Sequence, residues 1–273
     1  MSQLTTEIPF FVTIPHSGEN VPDLAPWLKK LPETVLMSDV DRFVDRLYEP
    51  ALQSLAIRYE KTEWHRYAVD LNRIPSDVDA DAVIDSLNPS GKHSDGYHWV
   101  KTKSELQLMP QPITLDVHQK LTTLIFDPFH KNVRGHYSYF KAKHKNIFHI
   151  DAHSMPSLGT RMHKDPGQLR ADIVVSDCHG KSCDKNFRDL VIAAYAIAGF
   201  KVGYNWPYAG GRVTETYGKP KEGQHAIQVE LNRNLYMDEA TKKLKPEADA
   251  VKIKIQTALA YIKTELPNLH VHV

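Results

Sequence analysis

Apolar residues along this chain fall into two alternating patterns: short near-continuous runs, and longer stretches in which they recur every third or fourth position. The short runs predict strands at Phe10–Ile14, Tyr67–Leu71, Asn146–Ile150, Asp172–Val175, Lys201–Tyr204 and Ala226–Leu231. The longer stretches predict helices. Asp39–Leu55 opens on an acidic residue suited to a helix N-terminus, and Asp184–Gly199 carries Phe187, Leu190, Val191, Ala194 and Ala198 on one face with Gly199 as its stop. Val117, Leu121, Leu124 and Ile125 share a stripe that Pro128 should kink or end, and Val251, Ile255, Ala258 and Ile262 mark a closing helix. Strands alternating with helices predict an α/β protein with a mixed central sheet flanked by helices. Residues 76–111, rich in Asp, Ser, Pro and Gly, interrupt the alternation and read as an irregular surface excursion, a lid or a hairpin, within a single domain spanning 1–273.

Composition narrows the function classes. The chain has 273 residues, enough for a large core, and its Lys+Arg 34 against Asp+Glu 33 leave a net charge of +1. Such a balance supplies no global field for nucleic acid or for an anionic membrane, so neither is expected as a partner. Only two cysteines occur, Cys178 and Cys183, which argues against a disulfide scaffold and for a reducing compartment. Their Cys-x4-Cys spacing has no second pair to complete a structural zinc knuckle. The N-terminal residues lack a basic segment followed by an apolar one, and no apolar run is long enough to span a bilayer. The expectation is a soluble, cytoplasmic protein.

Candidate chemistry gathers where strand-like runs end. The first run breaks at Pro15 and presents His16 and Glu19, a His-x-x-Glu pair whose imidazole and carboxylate can share one cation; the third leads into Asp151-Ala152-His153. Two His and one Glu leave the fourth position of a tetrahedral zinc open, the arrangement of a hydrolytic site. Asp151 reads either as a further ligand or as the acceptor that orients an imidazole. Ligands collect at the carboxyl ends of strands in open α/β sheets, which is how scattered residues such as His16, Arg73, His153 and Glu230 can meet. Asn72-Arg73 forms a plausible clamp for a substrate carboxylate, with a structural ion pair as the alternative for Arg73. Arg66 can face a developing oxyanion or simply pair with Asp70. Glu230, in an otherwise apolar run, suits a buried proton shuttle or an outward-facing charge on an edge strand. Tyr208, Gly210 and Gly211 form a turn-rich loop in which adjacent glycines let a ligand approach the backbone, although Gly-Gly is also a hairpin signal. Arg233 reads as a substrate contact or as packing.

Five blocks, in order, carry a family resemblance: Ile14-Pro15-His16-Ser17-Gly18, Asp39–Tyr48, Arg66–Arg73, Asp151-Ala152-His153-Ser154-Met155-Pro156 and Gln228–Met237. Together they resemble the N-formylglutamate amidohydrolase family. The resemblance implies a zinc-carboxypeptidase-like fold, one Zn²⁺ and hydrolysis of the N-acyl amide of an acidic amino acid. N-formyl-L-glutamate, yielding formate and L-glutamate as in histidine degradation, is the expected substrate. On the same resemblance, His16 and His153 match the family histidines, Glu19 the acidic ligand, Asn72-Arg73 the carboxylate-binding pair and Glu230 the general base. Another N-acyl amino acid or a small peptide is the nearest competing substrate. A metal-binding module without turnover is the competing class, and a carboxylate placed like Glu230 counts against it.

Overall fold

A computed structural model describes residues 7–79, 81–86 and 96–271, so part of the irregular excursion (80 and 87–95) lies outside the described residues. Six strands form one sheet: β1 (Phe10–Ile14), β2 (Arg58–Lys61), β3 (Ile147–Met155), β4 (Ile173–Ser176), β5 (Val202–Tyr204) and β6 (Gln224–Asn232). Their spatial order is β2-β1-β3-β6-β4-β5. β2, β1, β3 and β6 run parallel, β4 lies antiparallel to β6, and β5 is parallel to β4. The helices are α1 (Glu33–Leu36), α2 (Val44–Ser54), α3 (Leu115–Leu121), α4 (Asp127–Lys141), α5 (Lys185–Ile197), α6 (Arg212–Tyr217) and α7 (Ala248–Glu265). The protein is thus a mixed α/β structure with helices flanking a central sheet. Among the described residues no helix is long and apolar enough to cross a membrane.

Side chains alternate between the two faces of a strand, and β3 is buried along its whole length, so both faces of the sheet are covered. Phe148, Ile150 and Ala152 join Phe10, Val12, Ile14, Val229 and Leu231 in a cluster closed over by Leu47 of α2, Phe187 of α5 and Ile255 of α7. Each large apolar side chain removed from water there contributes roughly 1.5–3 kcal/mol. On the other face, Phe11 and Ile147 join a second cluster with Phe129 and Phe140 of α4 and Val213 of α6. Along the strands this face changes character. Thr13 pairs in register with Asp151, Asp151 with Gln228 and His153 with Glu230, so a polar stripe runs from the middle of the sheet toward its C-terminal edge.

Three expectations need correction. Tyr67–Leu71 is a turn rather than a strand: Ala68 N–H donates to His65 O, Arg73 N–H to Asp70 O and Asp70 N–H to Tyr97 O. Its Tyr67, Ala68, Val69 and Leu71 are buried, so the apolar run marks burial without extension. The helix expected from Asp39 begins at Val44, because Phe43 takes a left-handed conformation (φ 71) and the Ser17 hydroxyl accepts the Asp45 N–H at 3.2 Å. Pro128 does not end its helix. α3 passes through a π-helical turn (Thr122–Phe126) into α4, whose first turn accepts the proline, whose missing N–H needs no intrahelical partner there.

Candidate metal centre and active site

β1 delivers His16 just past its end, β3 delivers His153, and β6 delivers Glu230 opposite His153. Between β1 and α2, the loop 39–43 is tied to the end of β1: Asp41 N–H donates to His16 O (3.0 Å) and the Ser17 hydroxyl to Asp41 O (2.9 Å). Asp41 is thereby held against the two histidines. His16, Asp41 and His153 are all buried, and each offers a donor atom within 4.8 Å of the others.

The proton positions follow from the partners. His16 Nε2 faces Asp70 Oδ1 at 2.8 Å, and His153 Nε2 faces Asp151 Oδ2 at 2.7 Å. An imidazole that donates one N–H to a carboxylate presents the lone pair of its other nitrogen, the orientation metal-binding histidines use. Here both Nδ1 atoms turn to the same Asp41 oxygen, His153 Nδ1 at 3.0 Å and His16 Nδ1 at 3.5 Å. His16 Nδ1 is buried and has no hydrogen-bond partner among the described residues. The field at the centre favours positive charge: burial alone would lower the pKa of His153, yet the charge and hydrogen bond of Asp151, with Asp41, hold it well above its ordinary value. Two imidazoles and one carboxylate form a donor set that Zn²⁺ accepts with room for a further ligand. The residues fit a single divalent cation.

The carboxylates are themselves held. Asp70 accepts from Arg66 Nη2 (2.8 Å), Trp99 Nε1 (2.9 Å) and Asn72 N–H (2.9 Å) besides His16. Burial opposes ionisation of Asp70, but the charges of His16 and Arg66 outweigh it and hold its carboxyl well below the usual range. Asp41 Oδ1 receives Arg233 Nη2 at 3.0 Å and Ser154 Oγ at 3.2 Å. Burial likewise opposes its charge, and the hydrogen bond of His153 with the nearby charges of Arg66 and His153 reverses the direction. Glu230 differs. Burial raises its pKa and Asp41 adds to the shift against His153, while Gln228 Nε2 donates to Oε1 at 2.7 Å. One carboxylate in the pocket is thus shaped to gain and lose a proton while its neighbours stay ionised.

A cavity of about 200 Å³ opens on this group, and Arg66, Asn72, Arg73, Tyr208, Gly210, Gly211 and Arg233 line it with His16, His153 and Glu230. Arg66 stacks over Trp99 (4.7 Å) and donates to Asp39 O (2.8 Å). Asn72 Oδ1 accepts the Val213 N–H at the start of α6 (2.8 Å), and a Cβ at Gly211 would collide with the Asn72 amide at 2.1 Å. Arg73 Nη1 donates to Asn72 O at 2.9 Å. Gly210, at φ +125 and with Cys178 Sγ 2.6 Å from any added Cβ, has no room for a side chain. Arg233 is engaged by Asp41, Ser154 and Ser38 O, so it positions the carboxylate of the centre.

Glu19 does not join the group. Its carboxylate faces Arg42, with Nε at 3.0 Å and Nη2 at 3.1 Å, and its side chain is 29% exposed. Asp41, rather than Glu19, stands within reach of both histidines. Of the two readings for Asp151, the acceptor role is the one its contact with His153 Nε2 matches. Cys178 and Cys183 are free thiols, the first half-buried and the second buried. Sequence reasoning passed over Asp41, which it placed inside a helix, and gave Asp70 only Arg66 as a partner. For Asp70 the signal was a carboxylate embedded in an apolar segment, Ala68-Val69-Asp70-Leu71; Asp41, between Asp39 and Arg42, carries no such local mark.

The donor group, the proton-exchanging carboxyl and the guanidinium in one pocket at the strand ends are the equipment of a hydrolase. The family model for N-formylglutamate amidohydrolase matches residues 8–237. The chain therefore belongs to the N-formylglutamate amidohydrolase family. It is 28% identical over 234 residues to an N-formylglutamate deformylase of Pseudomonas aeruginosa, covering 85% of this chain and 83% of the relative. A deformylase of the same name from Pseudomonas putida is 26% identical over 238 residues, with the same coverage. The fold matches the crystal structure of an N-formylglutamate amidohydrolase from Ralstonia eutropha JMP134 with a TM-score of 0.86 at 23% identity, over 96% of this chain and 95% of that one.

Proposed function

We propose that this protein is a zinc-dependent amidohydrolase that cleaves the formyl amide of N-formyl-L-glutamate to formate and L-glutamate. The observation that carries the reading is the convergence of His16 Nδ1, His153 Nδ1 and Asp41 beside Glu230, with both Nε2 atoms committed to carboxylates. His16, Asp41 and His153 would hold the ion. A zinc ion at such a site acts as a Lewis acid on a carbonyl and lowers the pKa of water to about 7.

Glu230 takes a proton from the attacking water and returns one to the amide nitrogen as the C–N bond breaks, so the hydroxyl ends on formate and the hydrogen on the amine. Burial raises its pKa, which strengthens it as the base for the first transfer. Arg66, fixed by Asp70 and the Asp39 carbonyl, presents a guanidinium to the oxygen that gains charge in the transition state, and because it is already held it need not reorganise. Arg73 and Asn72 hold a substrate carboxylate through charge-assisted and neutral hydrogen bonds. Asp70 and Asp151 keep the imidazoles in the donor orientation throughout.

The test is turnover by zinc-reconstituted protein across a panel of N-formyl and N-acetyl amino acids, reading amine release. N-formylglutamate is expected to lead the panel. No amine released from it by folded, zinc-loaded protein would remove the proposal.

A further inference from the structure

Beside the pocket at the metal centre lies a second cavity of about 690 Å³, and the two adjoin: Lys103, His163, Tyr208 and Gly210 line both. Their sizes differ in a way that matters. Pockets for drug-sized ligands run to roughly 300–1,000 Å³. The inner cavity falls below that range and suits one acylated amino acid, whereas the outer one lies well within it. The outer cavity is also basic. Lys103, Lys164, Lys181 and His179 contribute to its wall against a single carboxylate, Glu215, which Arg212 already pairs at 3.2 Å. With a net charge of only +1 over the chain, this concentration of lysine is local rather than the spill-over of a basic protein.

At the junction stands His163. Its Nδ1 accepts the Thr160 N–H at 2.9 Å, which leaves the ring proton on Nε2 as a donor. Burial and the charges of Arg170 and Lys103 lower its pKa to about 4, so it remains a neutral donor at physiological pH. A neutral donor in the wall shared by the two cavities, with lysines in the larger one, is suited to an anionic chain, with a peptide carbonyl at His163 and carboxylates beyond it.

The geometry points to a second substrate subsite: the outer chamber receives an acidic extension, so the protein hydrolyses N-formyl peptides in which glutamate is followed by a further acidic residue. This rests on the amidohydrolase reading above. The reaction is unchanged, with the formyl C–N bond broken, water's hydroxyl going to formate and the proton to the peptide amine. One carboxylate of the first residue stays with the inner clamp, and the extension leaves through the other.

The experiment compares N-formylglutamate with α- and γ-linked N-formyl-Glu-Glu, and with the neutral N-formyl-Glu-Gln amide, on the zinc-loaded protein and a Lys164→Ala/Lys181→Ala variant. At least one acidic dipeptide should have a kcat/KM within about tenfold of that for N-formylglutamate, and high salt should reduce it. The variant should lose at least about tenfold on that dipeptide, mostly in KM, and less than about twofold on N-formylglutamate and the neutral peptide. Both dipeptides running more than about a hundredfold slower than N-formylglutamate, or equal losses on all substrates, would overturn the subsite. If N-formylglutamate is not turned over, the amidohydrolase reading fails instead. Calorimetric binding of Glu-Glu to the two proteins then decides the chamber: a tenfold weaker fit to the variant upholds it, and equal affinity refutes it.

Discussion

The third metal ligand distinguishes two readings of this chain, and the paired substitutions Asp41→Asn and Glu19→Gln separate them. Four-ligand structural zinc sites bind with about 10–16 kcal/mol, or about 2.5–4 kcal/mol per ligand. Losing the Asp41 carboxylate should therefore weaken zinc by about 10²–10³-fold, at 1.4 kcal/mol per decade. Asn keeps the volume, but it leaves the buried Arg233 guanidinium without its charge partner, and breaking such a pair costs about 3–5 kcal/mol of stability. Affinity must then be read on protein shown by circular dichroism to be folded. Glu19 is a different case. Its partner Arg42 also donates to Lys242 O and pairs with Glu33, and the Glu19 side chain is 29% exposed. Glu19 stands outside the donor group, so Glu19→Gln should leave zinc affinity within about twofold. Competition against a fluorescent zinc chelator gives both constants. Equal weakening by the two substitutions, or a folded Asp41→Asn protein that binds zinc within threefold of the parent, would refute the assignment of Asp41.

Two further outcomes follow from the buried groups. Glu230→Gln should retain zinc and fold while kcat falls by about 10²–10⁴-fold, because the amide cannot exchange the proton; near-normal turnover at saturating zinc would remove Glu230 from the reaction. Acid should destabilise the fold well above the carboxylate range. Burial lowers the pKa values of His65 and His98 from 6.5 to about 3, so between pH 6.5 and 3 the unfolded chain binds protons the folded one refuses, and stability rises with pH through that window. At pH 5 each imidazole costs about 2 kcal/mol relative to pH 7.5, together about 4 kcal/mol of a total of about 5–15. Urea midpoints measured from pH 7.5 to 5 check this, and a flat profile would contradict it.

The strand runs at Phe10–Ile14 and Asp172–Val175 were legible because burial on both faces leaves continuous apolar stretches, and Lys201–Tyr204, half-buried or exposed at the sheet edge, because it follows the Gly199 stop of α5. β3 was recognised at its start only, since its second half, Asp151-Ala152-His153-Ser154, is polar where the sheet meets the pocket. β2 was invisible: Arg-Tyr-Glu-Lys at the sheet edge carries half-buried or exposed side chains and no apolar alternation. The boundary of α2 depends on Ser17, a cap supplied from a segment that precedes it by 28 residues, and no local pattern encodes it. The same distance explains the site. His16, His153 and Glu230 could be read because they end or interrupt apolar runs, whereas Asp41 acquires its role only when Ser17 and His16 O fix its loop.

The two-sidedness of β3 ties the site to the fold more tightly than a loop-borne site would be. Slipping the strand by one residue would send His149, Asp151 and His153 into the cluster under α2, α5 and α7, and turn Phe148 and Ile150 into the pocket. Three ionisable groups would then be buried without the partners other elements give them, Thr13, Tyr137 and Asp41, a loss comparable with the whole stability of a domain. A misregistered sheet is therefore screened out by its own instability. In any preparation, the fraction that survives protease digestion and the fraction with an assembled centre count the same molecules.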